Sequence, residues 1–248
     1  MIKDLDSVAR MARAVVVQHV AHEGPGWLAE ILDAAGVDLD LRRMYDGASL
    51  SGADKAGALV VLGGPMGAND DDTVPWLTDM KALLAEAVQR GTPVLGICLG
   101  AQLLAVATGG TVALGEHGPE LGLGALELGI DAAADTLLRG MPIDPDTVQW
   151  HWDHIARLPP DETLLASSPA YTNQAFRVGP QAWGFQFHPE VTLPLVAQWA
   201  QNDAAAMRAA GMDPTVVVGD VADAERLLLE TWTPALERFA ALVASAAP

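Results

Sequence analysis

The chain has 248 residues, half of them hydrophobic, and its 14 Lys plus Arg face 32 Asp plus Glu for a formal net charge of −18. That acidity excludes a nucleic-acid partner, which needs a basic surface, and the lone cysteine excludes an intramolecular disulfide framework. Met1 to Arg10 lacks the apolar core of a leader peptide, and no stretch reaches the roughly 18 to 20 apolar residues of a membrane helix, so a cytoplasmic protein with no membrane partner is expected.

Arg13 to Val20 reads as a buried strand. Gly26 to Ala35 reads as a helix, with Trp27, Leu28, Ile31 and Leu32 at helical spacing and Gly36 as its stop. Val37 to Met44 suggests a short second strand, and Ala58 to Leu62 an apolar one that runs directly into Gly63-Gly64. Trp76 to Arg90 is an amphipathic helix stopped by Gly91; Pro93 to Ile97 is the next strand, and Leu99 to Thr108 a helix ended by Gly109-Gly110. Thr111 to Ile130 turns to short β segments rich in Gly and Leu. Two further strands are expected near Gln174 to Val178 and Ala182 to Phe187. Leu193 to Gly211 and Val221 to Ala247 read as helical, with Pro234 opening a new helix rather than sitting inside one.

This alternation predicts an α/β fold with a doubly wound, mainly parallel sheet, a small extra β segment and C-terminal helices. No repeat or linker divides it. One domain is expected over residues 1–248, with a core at about 12–192 and a helical extension at 193–248. Ligands of such sheets bind beyond the carboxyl ends of the strands, where Gly63-Gly64-Pro65 and Cys98 both fall.

Gly96-Ile97-Cys98-Leu99-Gly100 has the small–x–nucleophile–x–small pattern of a strained strand-to-helix turn that lifts a nucleophile clear of its neighbours. A buried, inert thiol at the same junction fits this segment equally well. A second segment, Gly184-Phe-Gln-Phe-His188-Pro189-Glu190, decides between them. Proline biases His188 toward extended backbone, and residues two apart in an extended segment share a side. Glu190 can therefore hold one imidazole nitrogen while the other faces Cys98, giving an orienter, a base and a nucleophile. Gly63-Gly64-Pro65-Met66-Gly67 lets backbone N–H groups turn inward. The N–H groups of Gly64 and Leu99 are assigned to an oxyanion hole. A phosphate loop is the weaker reading, since no Lys-Ser or Lys-Thr follows the glycines.

Gly-Gly-Pro after a strand, Gly96-Ile-Cys-Leu-Gly-Ala-Gln102 and Phe187-His-Pro-Glu190, in this order, resemble class I glutamine amidotransferases. Gln18-His-Val-Ala-His-Glu-Gly-Pro-Gly26, Gly63 to Asp70 and Asn173-Gln-Ala-Phe176 are similar to the stand-alone group called GMP synthase-like. The resemblance covers roughly residues 12 to 245. It implies a flavodoxin-like fold, Cys98 as nucleophile, His188 as base and acid, and Glu190 as orienter. It further implies Gln102 at the substrate's amino-acid head group, and Glu120 of Glu120-Leu-Gly122 beside the pocket. His151 and Asp153 are carried as substrate-binding residues, although the family's His-Gly-Asp has become His151-Trp152-Asp153 here, which changes the pocket wall.

The implied reaction is hydrolysis of glutamine through a γ-glutamyl thioester, without metal or organic cofactor, releasing ammonia for a separate synthetase. The alternatives are a free-standing hydrolase of γ-glutamyl amides or peptides, and a non-catalytic binding module of the same fold. His19, His22 and Glu23, like His151, Asp153 and His154, suggest metal ligands, but neither set offers the three or four convergent groups a metal wants. No metal site is expected.

Overall fold

The computed structural model describes residues 12–245, so the reading of Met1 to Arg10 lies outside it, as do residues 246 and 247 of the last expected helix. The first half alternates as read: β1 (Arg13–Gln18), α1 (Gly26–Ala34), β2 (Asp38–Arg43), β3 (Ala58–Val61), α2 (Trp76–Arg90), β4 (Val94–Ile97) and α3 (Leu99–Ala107). Short strands follow: β5 (Thr111–Leu114), β6 (Glu120–Ala125), β7 (Glu127–Leu128), β8 (Asp146–His151), β9 (Asp153–Arg157), β10 (Glu162–Ser167), β11 (Ala175–Val178) and β12 (Ala182–Phe185). The chain closes with α4 (Leu193–Asn202), α5 (Ala204–Ala209) and α6 (Pro214–Ser245).

Eight strands form the central sheet in the order β2-β1-β3-β4-β12-β11-β10-β7. The first five are mutually parallel, and β11, β10 and β7 extend the sheet antiparallel. Two small ribbons, β5 with β9 and β6 with β8, stand apart from it. Both faces of the parallel half are covered. Ala14, Val16, Val60, Leu95 and Ile97 pack against α1 and α6, while Val15, Val17, Leu59, Val61 and Val94 pack against α2 and α3. A strand buried on both faces has no polar side to show, which is why β3 reads Ala-Leu-Val-Val.

The order β3-β4-β12 has a direct consequence for the site. These three neighbours run parallel, so the segments that leave their carboxyl ends (Gly63-Gly64, Cys98 and Gln186 to Glu190) emerge along one edge of the sheet.

Two expectations need correction. Pro234 does not open a helix; it lies inside the 32-residue α6. It removes one hydrogen bond at a cost of about 3 kcal/mol. Trp232, Ala235, Leu236, Phe239, Ala240 and Val243 are buried on both sides of it, and Trp232 Nε1 donates to the Asp146 carbonyl at 2.9 Å. Burying that seam outweighs the local preference. Strands β8, β9 and β10 were also absent from the sequence reading. In β8 one face carries Thr147, Gln149 and His151, all at most 3% exposed, so an alternating pattern that normally marks a wet face here conceals two buried ones.

Candidate active site

Cys98 occupies the turn between β4 and α3 with φ 50° and ψ −108°, one of two non-glycine residues with positive φ among those described. Such a conformation costs of order 1–3 kcal/mol and persists only where the surroundings dictate it. They do so here: the Cys98 N–H donates to the Phe185 carbonyl of β12 at 2.7 Å, and the Gln102 N–H donates to the Cys98 carbonyl at 3.0 Å. The strained elbow expected of this segment is therefore present. Its thiol is 6% exposed and lies 3.7 Å from the Trp150 carbonyl, while Gln186 Nε2 donates to the sulfur at 3.8 Å.

His188 and Glu190 follow β12. The His188 N–H donates to the Val148 carbonyl of β8 at 2.8 Å, which fixes the backbone beneath the ring. His188 Nδ1 lies 3.0 Å from Glu190 Oε1, and both residues are at most 3% exposed. Burial alone would lower the imidazole pKa. The Glu190 carboxylate, together with charge and hydrogen-bond interactions with Cys98, outweighs it and holds the ring well above its ordinary value. His188 thus neighbours both the Glu190 carboxylate and the Cys98 sulfur. Glu190 is itself anchored through α1, because Trp27 N–H donates to the Glu190 carbonyl at 2.8 Å. That contact requires Gly26, since a methyl group there would stand 2.0 Å from the same carbonyl oxygen.

A cleft of about 370 Å³ opens over these groups. Gly64, Cys98, Gln102, His151, Asp153 and His188 all line it. Gly64 packs beside Leu99, whose Cδ2 would be 2.9 Å from a methyl group built on that glycine. Leu99 opens α3, where first-turn N–H groups have no helical acceptor. Gln102 is 3% exposed and spans the wall, Nε2 donating to the Asp153 carbonyl and to Gln186 Oε1, each at 3.2 Å. Glu120 does not reach the cleft. It stands behind His151, Oε2 lying 3.2 Å from His151 Nε2 and accepting from Gln174 Nε2 at 2.6 Å. Trp152 forms part of the wall where the family pattern has glycine. His154 pairs with Glu116 at 3.1 Å and packs on Tyr171 instead of joining the site.

Several residues in or beneath the cleft wall were not singled out from sequence. Gln186, buried beneath it against Cys98 and Gln102, carried an available signal, since it stands two residues before His188 and so shares its side. Trp199 and Asp203 carried none, because only the tertiary fold brings α4 and the residue after it to the cleft. Trp199 packs on His188 with ring centroids 4.7 Å apart and the rings tilted by 58°, and its Nε1 donates to the His22 carbonyl at 2.8 Å. Glu23 was noted only as a metal ligand. Its carboxyl lies over Gly63, and desolvation raises its pKa to about 7, with His188 opposing and Glu190 and Asp203 adding to the rise. Among the described residues no group of three or more His, Cys, Asp and Glu converges to hold a metal. No helix among them is long and apolar enough to cross a membrane.

His19, fully buried behind Gly64, provides a stability test. Trp76 Nε1 donates to its Nδ1 at 3.1 Å, so the neutral ring keeps its proton on Nε2, and burial lowers the pKa to about 4. A folded-state value below the unfolded one of about 6.5 means stability that is complete above that pH and lost as pH falls toward 4. Between pH 7 and about 5, urea unfolding should show the wild type losing about 2 kcal/mol more than His19→Gln. Glu23 titrates with the opposite sign in both proteins and cancels in the comparison.

The fold and the cleft at its carboxyl edge define an α/β protein with a cysteine-centred pocket. Residues 26–203 match the family model for glutamine amidotransferase class-I, and the chain belongs to that family. A glutamine amidotransferase from Thermotoga maritima has the same fold, with a TM-score of 0.83 and 29% identity over 93% of this chain and 98% of that one. A glutamine-hydrolyzing GMP synthase subunit from Methanospirillum hungatei is 40% identical over 108 residues, 43% of this chain and 55% of that protein. Gamma-glutamyl peptidase 5 of Arabidopsis thaliana is 31% identical over 159 residues, 62% of each chain. These alignments thus span somewhat more than half the length of either curated relative.

Proposed function

We propose that the protein is a glutaminase of the amidotransferase kind, which hydrolyses the side-chain amide of glutamine and releases ammonia for a separate synthetase. The observation that carries this reading is the His188 ring held between Glu190 and Cys98 at the floor of the cleft. In this reading Cys98 Sγ attacks the amide carbon, its proton having passed to His188. The N–H groups of Gly64 and Leu99 stabilise the oxyanion as the carbonyl becomes tetrahedral. The protonated ring, which Glu190 orients and favours, gives its proton to the departing nitrogen as the C–N bond breaks. A γ-glutamyl thioester and ammonia result. His188, now neutral, takes a proton from water, the hydroxyl adds to the thioester, and glutamate leaves as the thiol is restored. None of these steps calls for a metal or an organic cofactor. Gln102, His151 and Asp153 would hold the amino-acid head group, with Glu120 setting the His151 ring from behind.

A second reading, a free-standing hydrolase of γ-glutamyl amides, is favoured by the similarity to a gamma-glutamyl peptidase. Acid-quenched mass spectrometry across glutamine and a panel of γ-glutamyl compounds tests the shared chemistry. The expected result is a γ-glutamyl adduct on the peptide containing Cys98. No adduct with any compound, together with a thiol inert to a glutamine-analogue electrophile, would leave a binding module as the better description. Ammonia release that rises sharply on adding a synthetase would separate the first reading from the second.

A further inference from the structure

The charged lining of the cleft is one-sided. Glu23, Asp153 and Asp203 face it, with no Lys or Arg among the lining residues. The Glu23 carboxyl makes no hydrogen bond or ion pair among the described residues, and the charges it feels are His188, Glu190 and Asp203. A half-buried carboxyl at the cleft wall, with two carboxylates and only one histidine for company, lacks a compensating cation.

Its position says which part of a substrate it meets. The leaving nitrogen must lie at His188, the group that protonates it. A methyl group built on Gly63 would stand 2.3 Å from Glu23 Oε2 and 3.1 Å from His188 Cε1, so carboxyl and imidazole edge are neighbours. Trp199 covers the same ring, and Asp203, which follows α4, accepts from Trp150 Nε1 at 2.8 Å. Gln102 and His151 belong to a different wall, joined through the Asp153 carbonyl. Whatever hangs from the leaving nitrogen therefore meets an aromatic face and two carboxyls. Aromatic faces and carboxylates both attract an organic cation and repel an anion.

We propose that the wall of Glu23, Trp199 and Asp203 selects γ-glutamyl amides whose leaving amine carries a second, cationic amino group. This rests on the acyl-transfer chemistry common to both readings and narrows the substrate class of the second, the γ-glutamyl amide hydrolase; it also separates this cleft from one built for peptides, whose leaving groups carry a carboxylate.

Three amides of similar size test it: the N-(2-aminoethyl), N-propyl and N-carboxymethyl γ-glutamyl amides, cationic, neutral and anionic in turn. Above about pH 8, where Glu23 is ionised, kcat/KM should favour the cationic amide over the neutral one by about tenfold, with the anionic one lowest. Glu23→Gln and Asp203→Asn should each shrink the ratio of cationic to neutral. Equal turnover of all three, or preference for the anion, overturns the proposal and leaves the acyl-transfer reading intact. Calorimetric binding of the same amides to Cys98→Ala protein is the second arm. Charge preference there without turnover by the wild type would support the wall and sink the acyl-transfer reading. Absence of preference in both arms overturns the wall.

Discussion

Cys98→Ala should lower release of ammonia from glutamine, or of amine from γ-glutamyl amides, by about 10⁴-fold or more, with thermal stability nearly unchanged. The asymmetry follows from the environment of the side chain. The sulfur makes only long, weak contacts, 3.7 Å to the Trp150 carbonyl and 3.8 Å to Gln186 Nε2. Losing them and one small buried atom costs about 1 kcal/mol, and the backbone strain at φ 50° is common to both residues. Chemistry, by contrast, loses the atom that forms the thioester in the proposed mechanism. Residues acting as one unit are non-additive, so Cys98→Ala combined with His188→Asn should be no slower than Cys98→Ala alone. Ammonia assays on all three proteins, beside a melting curve for each, make the comparison. Residual turnover within tenfold of wild type would mean that another group attacks.

Much of this site was legible because its key residues sit beside backbone features that leave marks in sequence. The glycines around Cys98, the proline after His188 and the glycine pair after β3 each announce a special conformation. The parallel apolar strands announce a common edge on which those features meet. What escaped was set by side chains meeting across the fold. The polar face of β8 is buried partly against the segment between β10 and β11, where Gln149 Nε2 donates to Gln174 Oε1 at 3.1 Å and the His151 ring lies 6.0 Å from that of Tyr171, and its Thr147, Gln149 and His151 look solvent-facing in sequence. Trp199 and Asp203 reach the cleft from beyond residue 192, in what read as a helical extension, and no periodicity reports such a contact. Glu120 shows the converse. Its sequence neighbourhood pointed to the pocket, yet β6 places it one layer behind, against His151.

The largest structural effect is expected at Gly100, the second residue of α3. A methyl group there would stand 1.9 Å from the Val61 carbonyl oxygen and 2.7 Å from its carbon, both backbone atoms of β3. No rotamer relieves a clash between two backbones; α3 would have to lift from the sheet by more than an ångström. Leu99, Ala101, Leu103, Leu104 and Ala105 are all at most 1% exposed and would lose packing with it. The Cys98 elbow would move as well, since α3 begins at the next residue. Gly100→Ala should therefore cost at least about 3 kcal/mol and abolish turnover together. Gly219→Ala provides the contrast: it lies within α6, exposed, with nothing within 4 Å of a built methyl group. There the lost backbone freedom of glycine dominates, and stability should rise by about 0.5–1 kcal/mol. Urea unfolding of the two variants should thus move in opposite directions from the same chemical change. A Gly100→Ala protein as stable and active as wild type would mean that α3 and β3 are not closed on one another as described.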